Sequence, residues 1–284
     1  MRDGKRGVVN ATLEDAIDRY IKEVAPLHKS GESEAKRLKA ISKMLPTLRP
    51  IEQVTAADLS GFRDKRLTEV SVATVRKEMT IIRSMFESAR RDWSMIAVNP
   101  IADVKRPPAP PDRKRLMLDN ERDRLMLALG FDDAEPVANL SQQVAVLMLL
   151  ALESAMRLGE MLSLTWGRVD LEGCYVTLEE TKNGDRRDVP LSKRAVELLG
   201  KMKGADKSMV FTVAAASVDA LFRKARAKCE IVNLHFHDTR ATALTNLSKK
   251  LDVMELARMV GHRDLKSLLI YYRPTATTLA AKLG

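Results

Sequence analysis

Little in this sequence marks a secreted, membrane-spanning or metal-dependent protein. Cysteine is nearly absent: Cys174 and Cys229 are the only two in 284 residues and form no CxxC pair, which argues against a zinc site or a disulfide framework. Long hydrophobic runs are missing too. The longest, Val144 to Leu152, is far too short to span a bilayer. The first residues, Met1 to Asn10, are polar and basic without an apolar stretch, so no secretory signal is expected. Internal repeats and low-complexity blocks are also lacking. These absences point to a cytoplasmic protein with no membrane partner.

Positive charge is what the chain has in excess. Its 48 Lys and Arg outnumber 38 Asp and Glu, for a formal net charge of +10. Such a balance attracts polyanions over distance, nucleic acid first, although mild basicity alone does not establish DNA binding. A hydrophobic content of 45% with 30% charged residues is that of an ordinary globular protein, and the length suggests two domains.

A Pro-rich basic stretch from Lys105 to Arg115 divides the sequence and reads as an extended interdomain linker. Before it, over 11–104, four helices are expected. Thr12 with Asp15 caps the first, which carries Ile17, Tyr20, Ile21 and Val24 at helical spacing. The second runs from about Glu32 to Leu45 and the third from a cap at Thr55 to about Glu69. The fourth, Ser71 to about Trp93, buries Val75, Met79, Ile82, Met85 and Phe86. After the linker, over 116–284, helices are expected near 119–129 and 141–154. A β-hairpin follows, with Val176 and Leu178 alternating on one strand, a turn at Asn183-Gly184, and Val189 and Leu191 on the return. Helices resume at about 192–199, 217–228, 237–247, 252–260 and 265–271. The fold class is therefore mainly α with a small antiparallel β-sheet: an N-terminal helical bundle, then an α+β domain.

Within this second domain, Arg157, His237, Arg240, His262 and Tyr271 form an ordered set. Guanidinium forks match two oxygens of a phosphate, imidazoles move protons near neutral pH, and a phenol beside such groups can act as a nucleophile. The combination suits chemistry on a phosphodiester. Each residue also has a plainer reading. Arg157 alone reads as a surface arginine paired with Glu160, and Lys182 as a solvated hairpin lysine. His237 and Arg240 share a helix face at i and i+3. Gly261-His262 reads equally as a helix C-cap, a reading compatible with function because the cap would aim His262. His235 points elsewhere, as a packing residue or a DNA contact. Tyr272 competes with Tyr271, and the interval from His262 favours Tyr271.

Taken together, these motifs resemble the tyrosine recombinases of the phage integrase family. The family's pattern is an arginine in A-x-R-x-G-E (Ala155 to Glu160), a hairpin lysine (Lys182), an H-x-x-R box (His237, Arg240), a GH box (Gly261, His262) and a tyrosine about nine residues on (Tyr271). The resemblance covers Leu116 onward by motif, and the helical bundle is similar to the family's core-binding domain by position. Ala241 departs from the His that many relatives carry there, outside the catalytic set. No separate arm-site-binding domain is expected before Thr12.

The resemblance implies DNA cleavage and rejoining through a 3′-phosphotyrosyl intermediate on Tyr271. Arg157, Arg240 and His262 would hold the phosphate, His237 would be the base and Lys182 the acid for the 5′-oxygen. Glu160 would orient the Arg157 region. No cofactor or metal is expected, since the arginines supply the charge. The expected partners are double-stranded DNA, four copies of the chain on two DNA sites, and an accessory DNA-bending or directionality factor. Lys105, Arg106, Arg113, Lys114 and Arg115 are expected on phosphates, and the tail Thr277–Gly284 on a neighbouring copy. Two rival readings stand beside this one. One is a type IB topoisomerase-like enzyme that relaxes a single duplex. The other is a non-catalytic helix-turn-helix regulator built on Asp252–Tyr272.

Overall fold

The N-terminal bundle assembles from helices whose starts are written in side-chain caps. Thr12 accepts from the Asp15 N–H while Asp15 accepts from the Thr12 N–H, opening α1 (Leu13–Glu23), and Thr55 with Asp58 repeats the arrangement at α3 (Ala56–Glu69). Between them lies α2 (Gly31–Ser42), and α4 (Val72–Arg91) starts on the Ser71 hydroxyl. The computed structural model describes residues 11–111, 113–179, 186–204, 206–262 and 265–271, with Thr277 and Ala280. Lys182, the Asn183-Gly184 turn, Tyr272 and all of the tail but those last two residues lie outside the described residues.

Helix α2 ends three residues earlier than expected, because the chain tightens into turns at Met44 and Leu45 ahead of Pro46. Tyr20, Leu38, Leu59, Val75, Ile82, Met85 and Phe86 fill the bundle interior. One charge is buried with them. Glu78 of α4 accepts two hydrogen bonds from Arg66 of α3, at 2.9 and 2.7 Å, so the carboxylate is paired rather than stranded.

The chain separates into two compact units between Asp112 and Arg113, within the stretch expected to be a linker. The start of that stretch is strapped to the first unit. Arg63 donates to the Lys105 carbonyl at 2.8 Å, Arg76 to the Pro107 carbonyl, and Arg106 to the Arg76 carbonyl and the Thr80 hydroxyl.

The second unit is organised around α6 (Leu140–Ser154), whose apolar run from Val144 to Ala151 is buried all round. It lies within the longest apolar run of the sequence, and it is enclosed because α8 (Lys193–Gly200), α9 (Ala215–Lys228) and α10 (Asp238–Leu247) all pack against this helix. Helix α5 (Asp119–Ala128) lies on α9, and the short α7 (Leu158–Leu162) follows α6. The sheet has three antiparallel strands, β1 (Val169–Asp170), β2 (Tyr175–Leu178) and β3 (Arg187–Pro190), in the order β1-β2-β3. Val176 stands opposite both Val169 and Val189. Strand β1 escapes the pattern argument, since two residues show no alternation. Helix α11 (Val253–Val260) packs on β3 and is followed by α12 (Lys266–Leu269), shorter than the expected 265–271. Among the described residues no helix is long and apolar enough to cross a membrane.

The bundle makes one position sensitive to a single carbon. A Cβ on Gly31 would lie 1.9 Å from the Ala25 carbonyl oxygen, which is backbone and cannot swing aside. We expect Gly31→Ala to lower stability by roughly 1–3 kcal/mol, the usual cost of overpacking, measured by urea unfolding. An unchanged midpoint would contradict this packing.

Candidate active site

The candidate residues of the second unit arrive from the ends of separate elements. Helix α6 closes on Ala155, whose φ of 53° lies in the left-handed region, and the chain then turns so that Arg157 becomes the N-cap of α7. Helix α10 begins just after His237, placing His237 and Arg240 within its first turn. Helix α11 closes on Gly261 at φ 66°, a conformation that favours glycine, and His262 follows, its N–H donating to the Ala257 carbonyl at 3.1 Å. Tyr271 comes just after α12. Its carbonyl accepts from the Ser248 hydroxyl at 2.9 Å and its ring packs partly buried against the core.

Arg240 joins these ends. It is 5% exposed. One Nη donates to the Ala155 carbonyl, and the other to the Val260 carbonyl at 3.2 Å while meeting His262 Nε2 at 3.1 Å. Each helix ends on carbonyls with no partner inside the helix, and two such ends anchor one guanidinium here. Burial pushes the Arg240 pKa down to about 10, and the neighbouring charge of Arg157 pushes the same way. Glu160 and Tyr271 act in the opposite direction. The side chain stays charged at neutral pH, within the electrostatic reach of both Arg157 and Tyr271.

Glu160 holds the other side. It is buried, and it accepts the Arg157 backbone N–H at 2.9 Å and the Arg157 guanidinium at 2.8 Å. The plain reading of Arg157 as a partner of Glu160 is thus realised, and it does not compete with a functional one. A second guanidinium, from Arg187 on β3, donates to the same carboxylate at 2.8 Å. Burial pulls the Glu160 carboxyl upward, but the Arg157 N–H and then the Arg187 guanidinium outweigh it and hold it below the usual range. Two guanidiniums therefore bind one carboxylate, with the Arg240 guanidinium within its electrostatic reach. The surplus positive charge suits an anion.

His237 is the candidate base. Partial burial lowers its pKa although the residue as a whole stays exposed, Arg240 and, more weakly, Arg157 lower it further, and Asp238 opposes them. Asp238 itself is buried and clasped by Arg113, whose Nε and Nη2 donate at 2.6 and 2.7 Å, while the His235 N–H adds a bond at 2.7 Å. Arg113 also donates to the Asn233 side chain at 2.8 Å. His235 remains largely exposed, its Nδ1 4.0 Å from Asp238.

Two features were not foreseen from the sequence. Arg187 was overlooked, although a signal existed: residues i and i+2 of a strand share a face, so Arg187 lies on the same side as the buried Val189. The linker arginines, expected on phosphates, are engaged within the protein. Arg106 bonds the first unit, Arg113 bonds Asp238, and Arg115 bonds Glu121 and the Leu116 carbonyl. An arginine fork close to a carboxylate or carbonyl is satisfied locally, which composition does not reveal. Lys105 and Lys114 are exposed.

Comparison with known proteins agrees with this geometry. The profile of the phage integrase family matches residues 120–278, and that of the phage integrase N-terminal domain matches residues 10–106. The chain belongs to the phage integrase family. It is a tyrosine-type site-specific DNA recombinase. A putative integrase/recombinase of Haemophilus influenzae is 34% identical over 95% of this chain and 89% of its own length. A shufflon-specific DNA recombinase of Escherichia coli is 34% identical over 96% of this chain and 71% of its own. Among solved structures, this integrase-family chain is similar in fold to a lambda integrase dimer bound to a COC′ core site. That match has a TM-score of 0.76 and 21% identity, over 93% of this chain and 77% of that one. The Tn1549 transposon integrase in complex with circular intermediate DNA also has a TM-score of 0.76, at 16% identity, over 96% of this chain and 99% of that one.

The depressed His237 pKa has a direct consequence. Titrating the free protein and following the imidazole by NMR, we expect His237 to remain neutral as pH falls through 6.5, the ordinary histidine value. It should take up its proton only at lower pH. A midpoint at or above 6.5 would mean that burial and the arginine charges do not act on it.

Proposed function

We propose that this site cleaves and rejoins DNA by transesterification, with Tyr271 as nucleophile. The phenolic oxygen attacks a scissile phosphate, forming a 3′-phosphotyrosyl bond as the bond to the 5′-oxygen breaks. Attack by that 5′-hydroxyl, or by one from a second duplex, reverses the step and releases Tyr271. One phosphoester replaces another, so no external energy source is required. The observation that carries this reading is the surplus of guanidinium charge around Glu160, beside Tyr271 and two imidazoles.

Arg157 and Arg240 would bind the non-bridging oxygens and stabilise the charge that builds up in the transition state. His262, which Arg240 holds at 3.1 Å, would donate a further hydrogen bond to the phosphate. His237, neutral at working pH, would accept the phenolic proton. Lys182 would protonate the leaving 5′-oxygen. Glu160 would orient Arg157. The proposed boundaries remain a core-binding domain over 11–104, a linker over 105–115 and a catalytic domain over 116–284. In the linker, Lys105, Arg106, Arg113, Lys114 and Arg115 are the proposed phosphate contacts; Lys105 and Lys114 are exposed, and Arg106, Arg113 and Arg115 would exchange protein partners for phosphate.

Double-stranded DNA is the substrate, and a DNA substrate implies cytoplasmic, nucleoid-associated work. Four copies on two sites are proposed by analogy with a lambda integrase tetramer bound to a Holliday junction, to which this chain is similar in fold at a TM-score of 0.77. The tail would link neighbouring copies, and an accessory DNA-bending or directionality factor could assist them.

The test uses a supercoiled plasmid carrying the DNA that flanks this gene in its genome. Denaturing the reaction with detergent should trap a covalent protein–DNA adduct. Tyr271→Phe should abolish the adduct and leave binding to a random duplex unchanged. An adduct that survives Tyr271→Phe but not Tyr272→Phe would move the nucleophile by one residue. Arg157→Ala or Arg240→Ala should each slow adduct formation by ~100-fold or more, the scale of losing one oxyanion donor.

Lys182 is open to a sharper check. Replacing the bridging 5′-oxygen by sulfur supplies a leaving group that needs no proton, so Lys182→Ala should be impaired on the normal substrate and close to wild type on the sulfur one. Equal impairment on both would return Lys182 to the hairpin surface.

A further inference from the structure

Arg187 is an unusual residue for the inward face of a strand. It is largely buried, yet it is the third guanidinium in a small volume. Its Nη2 donates to Glu160 at 2.8 Å and its Nε to the Met259 carbonyl at 3.2 Å. Its Nη1 is buried without a hydrogen-bond partner among the described residues. Burying a cation near two others, with one donor unmatched, works against stability: an unsatisfied buried donor costs roughly 1–3 kcal/mol. The packing around it is close. A Cβ on Gly261 would lie 2.9 Å from Nη1, so the glycine that aims His262 is also the surface on which the guanidinium rests.

Two structural ends meet at this side chain. Through Glu160 it reaches the N-cap of α7, where the carboxylate fixes both the backbone and the guanidinium of Arg157. Through the Met259 carbonyl it reaches the last turn of α11, immediately before Gly261 and His262. The Val260 carbonyl beside it accepts from Arg240. A displacement of β3 would therefore be felt on both sides of the proposed phosphate.

We propose that Arg187 is a positioning residue for the phosphate clamp, bracing Glu160 and with it Arg157 against the helix end that presents His262. The proposal rests on the reading of Arg157, Arg240 and His262 as phosphate ligands. Arg187 itself does not touch the phosphate. Its contribution is to hold the donors where charge develops, and misplacement by about 1 Å at such a site slows reaction on the order of 100-fold. It also keeps Glu160 ionised. The charged groups around that carboxylate are Arg157 from α7, Arg187 from β3 and Arg240 from α10; without Arg187, burial raises its pKa and protonation releases Arg157.

The test compares full-length wild type with Arg187→Met, Arg187→Lys and the double variant Arg187→Met/Glu160→Gln. Adduct formation is measured on the same supercoiled plasmid at saturating protein and across pH, and affinity is measured on a fluorescent random duplex. Thermal unfolding reports whether each variant is folded. Arg187→Met should lose about 100-fold in rate, with affinity within about twofold of wild type. Its acid limb should move to higher pH, and that shift should vanish in the double variant, where position 160 cannot titrate. Should Arg187→Met fail to fold, Arg187→Lys carries the test. It keeps the charge but not the fork, so it should be slowed while retaining the wild-type acid limb. A rate within about threefold of wild type and an unmoved pH profile would overturn the proposal, as would equal losses of rate and affinity. A wild-type protein that forms no adduct would instead defeat the transesterase reading on which the proposal depends.

Discussion

Glu160 is buried, and a carboxylate out of water must be compensated or protonated. Here the compensation comes from Arg157, through its backbone and its side chain, and from Arg187 across the sheet. That single requirement joins the first turn of α7 to β3, and β3 to the end of α11. With Arg240 close by, the cluster holds more positive than negative charge. Such an arrangement is unfavourable by itself and becomes favourable when an anion enters. On the proposed reading, the electrostatic cost is carried by the folded scaffold, so little rearrangement would remain when charge builds up on a bound phosphate.

The scaffold achieves this with helix ends. Ala155 and Gly261 both adopt left-handed backbone conformations, and the carbonyls at or beside them, of Ala155 and Val260, converge on Arg240. Carbonyls that a helix cannot satisfy internally become the ligands of a guanidinium, and that guanidinium is held by them without a hydrogen bond to a carboxylate among the described residues. A carboxylate there would neutralise the charge that a phosphate needs. The left-handed alanine is a small backbone strain at the place where the chain turns from the core helix to Arg157.

The start of the second unit is tied to the same region. Arg113 clasps Asp238, next in sequence to His237, and the Met117 N–H donates to the Thr242 hydroxyl, which in turn donates to the Asp238 carbonyl. The chain thus enters the unit across the first turn of α10. The linker arginines therefore have different partners within the protein. Arg113 is an internal strut of the second unit, whereas Arg106 is fastened to the bundle.

What the sequence determined by itself is mostly local. Caps such as Thr12 with Asp15 and Thr55 with Asp58 mark helix starts because their hydrogen bonds close within one turn. Gly261 marks a helix end because its φ of 66° favours a residue without a Cβ. The alternation of Val176 with Leu178 marks the hairpin, and the motif spacing identifies Arg157, His237, Arg240, His262 and Tyr271 as a set. Only tertiary structure decided which charges face one another. Nothing near Arg187 in sequence reveals that Glu160 lies across from it, and nothing near Arg113 reveals Asp238. Strand β1 is of the same kind, two residues that become a strand because β2 offers them a partner. Local signals depend on backbone geometry over a few residues, whereas charge pairing depends on which distant segments packing brings within about 3 Å of each other.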